Sequence, residues 1–299
     1  MLLRKLLLSS ALLFVPSLYA QQLAAISDDP ALDKAAPAAM QSIQIPSHGA
    51  LLNGLVYIAA GSGPHPVVLL LHGFPGNERN LDLAQTIRRA GWDVLFFDYR
   101  GSWGTPGDFS FTHSIEDTHA ALAYLRDPAN AAKFHADPKY LVLIGHSMGG
   151  MIAANVGATD PAVKAIGLIS AADMAGFALP AVLAGKQEEA VGPIGKKLAA
   201  EGIAPLAGCT PESLARDLIA HAKEWSLANQ ALKLASRPIL VVTSDDGLAP
   251  SNDVLVMGLE KAGDKQVTAI HIATDHSYSD RRIALETAVL DSLSHLKPQ

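Results

Sequence analysis

The stretch around residue 147 constrains the fold of this chain more than any other. Tyr140-Leu141-Val142-Leu143-Ile144 is a continuous apolar run, the pattern of a strand buried on both faces of a parallel sheet. Gly145-His146-Ser147-Met148-Gly149 follows directly, and Gly150, Met151, Ile152, Ala153, Ala154 and Asn155 then read as a helix whose first turn is made of small residues. A serine at so sharp a strand-to-helix turn is forced into a strained backbone conformation with its hydroxyl exposed. A Cβ at Gly145 or Gly149 would collide with the neighbouring strand and helix. The helix start aims unpaired N–H groups and its positive dipole end at the space beside the hydroxyl, where an oxyanion would form.

The rest of the chain repeats the strand–helix alternation. Two short alternating segments, Gln41–Ile45 and Leu51–Ala59, read as an antiparallel pair. The run from Pro66 to Leu71 reads as a buried strand ending in His72-Gly73-Phe74-Pro75-Gly76. A helix over Leu81–Ala90 stops at Gly91, and the strand Asp93–Phe97 leads into Asp98-Tyr99-Arg100-Gly101. Helical spacing covers Ile115–Leu125, closed by Asp127-Pro128. After the serine helix come strands at Val163–Ile169, Pro238–Val242 and Gln266–Ile272, with helices at Asp253–Ala262 and Arg281–Leu296. Such alternation predicts an α/β fold, a mostly parallel sheet with helices on both faces, whose ligands bind beyond the carboxyl ends of the strands.

Between about 172 and 237 the alternation breaks. Gly, Ala and Pro clusters surround one clear helix, with Thr210 as N-cap and Pro211 at its first position. An insertion of this length between two sheet strands is expected to be a helical lid over the strand ends.

The first twenty residues stand apart. Arg4 and Lys5 precede an apolar run from Leu6 to Leu18, too short to span a bilayer comfortably, and Ala20 precedes Gln21-Gln22. Residues 1–20 therefore read as a cleavable signal peptide, residues 21–40 as a flexible lead-in and residues 41–299 as the folded domain. The chain is expected to be periplasmic or secreted, with no membrane association after the signal is removed. Without Arg4 and Lys5, 23 basic residues become 21 against 29 acidic ones, a balance of −8 that argues against nucleic acid as a partner. With one cysteine, Cys209, no internal disulfide can form, so the core must supply the stability.

A serine hydroxyl is a poor nucleophile at neutral pH, so it needs a base to take its proton and a third group to orient that base. His276, in the loop Thr274-Asp275-His276-Ser277 between the last strand and the last helix, is the candidate base. His271 lies inside the preceding strand and is expected to face the core or a sheet surface. The candidate acid is Asp246, whose turn Gly247-Leu248-Ala249-Pro250 would project it back over the strand ends; its neighbour Asp245 and the more distant Asp173 are the alternatives. The oxyanion donors are expected to be the N–H groups of Met148 and Phe74, since Pro75 has none. Neither metal-ligand spacing nor a phosphate-binding glycine loop occurs, so no cofactor and no metal are expected.

These motifs resemble the α/β-hydrolase fold superfamily over nearly all of the chain from Gln41 to Leu296. The resemblance is carried by the turn at Ser147, the His-Gly-Phe-Pro-Gly loop, Asp98-Tyr99-Arg100-Gly101, Asp246 ahead of Pro250, and Asp275-His276-Ser277. The chain departs from the family pattern at Thr243, where a glycine is usual three places before the acid. The resemblance implies an eight-stranded sheet and a cofactor-free Ser-His-Asp site. Within the superfamily the motifs look most like the serine aminopeptidase (S33-like) and lipase/esterase groups. The implied activity is hydrolysis of a small-molecule carboxylic ester or amide through an acyl-enzyme. The alternatives are an acyltransferase with the same triad and a non-catalytic binding protein on this fold.

Overall fold

The computed structural model describes residues 24–296, so the signal-peptide reading of residues 1–20 lies outside the described residues. Eight strands form one sheet in the order β1-β2-β4-β3-β5-β6-β7-β8. They are β1 (Ala39–Ser47), β2 (Ala50–Ile58), β3 (His65–Leu71), β4 (Asp93–Phe97), β5 (Ala136–His146), β6 (Ala165–Ile169), β7 (Ile239–Thr243) and β8 (Val267–His271). The β1–β2 and β2–β4 pairings are antiparallel and all the others are parallel. This is the mostly parallel, helix-covered sheet that the alternation predicts.

At the central strands both faces of the sheet are buried, and the period-two geometry of a strand shows how. Val67, Leu69 and Leu71 of β3 join one apolar cluster while Val68 and Leu70 join the other. The second cluster is closed by α1 (Leu81–Arg89) and the last helix, α11 (Arg282–Ser294), through Leu83, Ile87, Leu285 and Val289. The first is closed by α2 (Phe111–Arg126), α4 (Met148–Thr159) and α10 (Ala249–Lys261), through Leu122, Ile152 and Leu255. Each such buried leucine or isoleucine contributes about 2 kcal/mol of transfer free energy. Ala25, ahead of β1, also packs into the second cluster, and its carbonyl accepts from Arg89 Nε at 2.5 Å.

Two boundaries differ from the sequence reading. Helix α2 begins four residues earlier than its apolar spacing indicates, because the Ser110 hydroxyl caps it by accepting from the His113 N–H at 3.0 Å. Asp127-Pro128 ends α2 but does not open a loop. The Asp127 carboxylate accepts from the N–H groups of Ala129 and Asn130 and so caps a further short helix, α3 (Pro128–Phe134). An Asp-Pro pair stops one helix and starts another with equal ease, since proline suits a first helical position.

The insertion between β6 and β7 holds α5 (Leu179–Leu183), α6 (Gln187–Ala200), α7 (Pro211–Ala220), α8 (Ala222–Trp225), a 3₁₀ turn at Leu227–Gln230 and α9 (Ala231–Leu234). Thr210 and Ser213 form a reciprocal capping box at the start of α7. Among the described residues no helix is long and apolar enough to cross a membrane.

One buried acid makes the stability of this fold depend on pH. Asp93, at the start of β4, is 1% exposed; its Oδ1 accepts from the Ala59 N–H at 2.8 Å, while Oδ2 has no partner. Burial raises its carboxyl to about 7, against the smaller opposing effect of the Ala59 hydrogen bond. The folded chain therefore keeps a proton that the unfolded chain releases near pH 4. This group's contribution is fully present below about pH 4 and is lost as pH rises through 7. Asp93→Asn cannot titrate, so its melting temperature relative to wild type is expected to climb as pH is raised from 4 to 8. Parallel thermal melts across that range would check it; a difference that does not change with pH contradicts the account.

Candidate active site

The turn between β5 and α4 has the backbone its sequence demands. Ser147 sits at φ 57°, ψ −122°, in the region L residues avoid, and only 9% of the residue is exposed. A Cβ on Gly145 would overlap the Gly149 carbonyl, one on Gly149 would overlap the Leu71 carbonyl, and one on Gly150 would lie 2.5 Å from the Ala171 Cβ. The three glycines thus let β5, α4 and the ends of β3 and β6 meet at contact distance. That close approach puts Ser147 at the carboxyl ends of the parallel strands.

The loop after β3 lies directly against the serine. A Cβ on Gly73 would stand 2.8 Å from the Ser147 Cβ and 3.3 Å from its Oγ. Phe74, the next residue, lines the same pocket as Ser147. Met148 is the first residue of α4, so its N–H has no intrahelical acceptor. Phe109 and Phe111 do not line this pocket; they stack behind Phe74 at 5.9 and 5.7 Å and are buried. Trp103 pins the loop from outside, its Nε1 donating to the Pro75 carbonyl at 2.8 Å.

His276 and Asp246 meet across the ends of β7 and β8, with His276 Nδ1 donating to Asp246 Oδ2 at 2.7 Å. Burial works to raise the Asp246 carboxyl, but it is outweighed by hydrogen bonds from His276 and the Leu248 N–H and by the nearby Ser170 and Ser244 hydroxyls. Together these hold it well below the usual carboxylate range. Ser170 Oγ is in turn 3.0 Å from Ser244 Oγ and 2.9 Å from the Tyr278 hydroxyl, which donates to the Val242 carbonyl. The acid therefore stays ionised and fixed. Ser147, His276 and Asp246 all line one pocket, and no hydrogen bond joins the serine hydroxyl to the imidazole. Such contacts commonly tighten only around a reacting group.

Asp245 faces the other way. Its Oδ1 lies 3.1 Å from His271 Nε2, and His271 Nδ1 lies 3.0 Å from Thr243 Oγ1. Thus the buried Thr243, which stands where the family pattern has glycine, takes part in a separate chain that runs outward through His271 to Asp245. Of the two placements expected for His271, core or sheet surface, it takes the second: β8 is an edge strand, and the His271 side chain is half exposed. Both oxygens of Asp173 are occupied, by the Gly176 N–H and the Ser226 hydroxyl. Arg100 joins Asp117 and Glu116, while Asp98 turns toward Arg79 and His72.

His146 has a role the sequence reading missed. It is 2% exposed, its Nε2 donates to the His276 carbonyl at 2.9 Å, and its ring lies 4.7 Å from the His276 ring. Burial, with the neighbouring His276 charge, pushes it down to about 4, so it stays neutral and anchors the His276 loop. Arg282 holds the far end of that loop by donating to the Ser277 carbonyl, Asn80 and Asp82. A histidine beside the nucleophile is the one local signal that could have suggested this.

The pocket has a volume of about 390 Å³. Its far wall is apolar and comes from the insertion: Met174, Phe177, Ile194, Leu198 and Leu218. Lys197, whose Nζ stands 3.5 Å from the centre of the Phe177 ring, and Glu201 also line it. Among the described residues no cluster of His, Cys, Asp or Glu could hold a metal ion. Chemically, the arrangement offers a strained serine, an oriented imidazole, an ionised acid and free backbone donors beside an apolar cavity.

Residues 68–296 match the model of the alpha/beta hydrolase family. An uncharacterized protein of Mycobacterium tuberculosis is 28% identical over 133 residues, 44% of this chain and 46% of that protein, so the match spans less than half of the relative's length. The fold is similar to that of EstE1, a thermophilic carboxylesterase cloned from a metagenomic library. The TM-score is 0.65 at 21% identity, over 95% of this chain and 96% of that one. It is similar also to a Pyrobaculum calidifontis esterase, with a TM-score of 0.66 at 17% identity, over 94% and 92% of the two chains.

Proposed function

We propose that this chain, which belongs to the alpha/beta hydrolase family, is an exported serine hydrolase that cleaves carboxylic esters through an acyl-enzyme. Ser147 attacks the ester carbonyl while His276 takes its proton and returns it to the leaving alcohol. Asp246 holds the imidazole in the tautomer with hydrogen on Nδ1, and the N–H groups of Phe74 and Met148 receive the oxyanion. Water then repeats the sequence on the acyl-enzyme. The observation that carries this reading is the 2.7 Å pairing of His276 with an ionised Asp246 in the pocket that also holds the strained Ser147.

The apolar wall favours esters of a compact apolar acid over peptides. A volume of about 390 Å³ suits a ligand at the small end of the drug-like range. Residues 172–237 serve as the lid over that cavity, residues 1–20 as the export signal and residues 21–40 as the lead-in. The esterase-like fold neighbours agree with an ester substrate in preference to the serine aminopeptidase type.

The test is a pair of neutralised acids. Asp246→Asn leaves the imidazole in the wrong tautomer and is expected to lower kcat on p-nitrophenyl esters by about 10⁴-fold. Asp245→Asn, next door but engaged with His271, is expected to stay within about threefold of wild type. Equal losses in the two variants would contradict the assignment. Aminoacyl amides turned over faster than esters would overturn the substrate class.

A further inference from the structure

Behind the loop that carries Phe74, two polar atoms are buried without a hydrogen bond: His72 Nε2 and Asp98 Oδ1. They lie 3.7 Å apart, in residues 1% and 8% exposed. The other ring nitrogen of His72, Nδ1, is 2.8 Å from the Gly73 carbonyl. A carbonyl only accepts, so Nδ1 carries the hydrogen, and a neutral ring then turns a bare lone pair at Nε2 toward a carboxylate oxygen. Two acceptors facing each other out of reach of water repel, and a single proton between them turns the repulsion into a hydrogen bond.

We infer that Asp98 and His72 hold one proton between them, and that this proton positions the His72–Gly76 loop for oxyanion binding. The inference rests on the reading of Phe74 as an oxyanion donor. The proton comes from solvent and resides on Asp98, which as a neutral acid donates to Nε2; no other bond is made or broken. The charged and titratable groups around the pair are few. The Arg79 guanidinium stands 3.4 Å from Asp98 Oδ1 and packs on the Trp103 ring, and Tyr99 stacks on His72 at 4.5 Å and donates to its carbonyl. Burial raises the Asp98 carboxyl to about 6 and lowers His72 to about 4, and both changes favour a neutral acid beside a neutral ring. Arg79 pulls Asp98 the other way, so the proton is lost on the alkaline side. His72 and Asp98 are positioning residues: Nδ1 holds the Gly73 carbonyl, Gly73 lies against Ser147, and Trp103 pins the next carbonyl but one.

The full chain carries the test through two variants. Asp98→Asn keeps a hydrogen on the group facing Nε2 and cannot titrate, whereas Asp98→Leu offers none. The ¹⁵N NMR shift of His72 Nε2 and the pH profiles of kcat and KM on a p-nitrophenyl ester are the readouts. Wild type is expected to show a hydrogen-bonded Nε2 that becomes free as pH rises, with kcat falling over the same range. In Asp98→Leu the nitrogen is expected to be free at every pH and kcat to fall about 10- to 100-fold at unchanged KM. Asp98→Asn is expected to recover most of kcat and to lose the alkaline fall. A free Nε2 in wild type at acidic and neutral pH, or an Asp98→Asn variant as slow as Asp98→Leu, overturns the proposal. If wild type hydrolyses no ester, the NMR shifts alone decide the shared proton, so its failure and that of the esterase reading are separable.

Discussion

Ser147→Ala is expected to lower ester turnover by about 10⁴- to 10⁶-fold while leaving the fold intact. The size of the loss follows from the division of labour in the pocket. The imidazole and its acid have work only if there is a hydroxyl to deprotonate, so removing the serine leaves them idle. What remains is ground-state binding in the apolar cavity and the two backbone donors. Substrate affinity is therefore expected to change little, and kcat to carry the effect. The same variant replaces one L residue by another at φ 57°, so it gains no relief from backbone strain. Steady-state kinetics with thermal melts of both proteins would check this; a variant that keeps a tenth of wild-type turnover contradicts it.

Gly145→Ala is expected to destabilise the fold by about 3 kcal/mol or more. Its Cβ would overlap backbone atoms of Gly149 and Gly150, which cannot swing aside as a flexible side chain can. The serine turn, the start of α4 and the end of β3 would all have to move. Gly192→Ala is the control: this glycine lies in α6 ahead of Pro193, and beyond its chain neighbours a Cβ there meets nothing within 4 Å. Alanine at that position is expected to change stability by no more than about 1 kcal/mol, because its lower ordering cost is offset by the crowding of a helical Cβ against the following proline. Denaturant titrations should show a large loss for Gly145→Ala and little change for Gly192→Ala. A Gly145→Ala protein as stable as wild type would mean that the junction is looser than its contacts require.

Local pattern carries the fold here because the central parallel strands contain unbroken apolar runs. Val67 to Leu71 and Tyr140 to Ile144 could only be buried on both faces, which forces helices onto both sides of the sheet. The serine turn is equally local, since its strain and its three glycines lie within six residues, 145 to 150. What surrounds it is not. His146 reaches the His276 carbonyl across 130 positions, and the Ser170–Ser244–Tyr278 network beneath Asp246 gathers three strand ends. No spacing rule links such residues, because the sheet order brings them together and nothing in the local sequence does. Asp245 and Asp246 illustrate the same limit. Adjacent carboxylates look alike in sequence, and only the turn beyond β7 sends one to His276 and the other to His271. The Asp127-Pro128 boundary was ambiguous for a different reason, since one residue pair both ends α2 and caps α3.

The central claim is that Ser147 is an activated nucleophile. The most direct test is labelling of the purified protein with a fluorophosphonate probe beside the Ser147→Ala variant. Stoichiometric labelling of wild type that disappears in the variant is the predicted result. A folded wild type that takes no label, or a variant that labels as fully, would contradict the account.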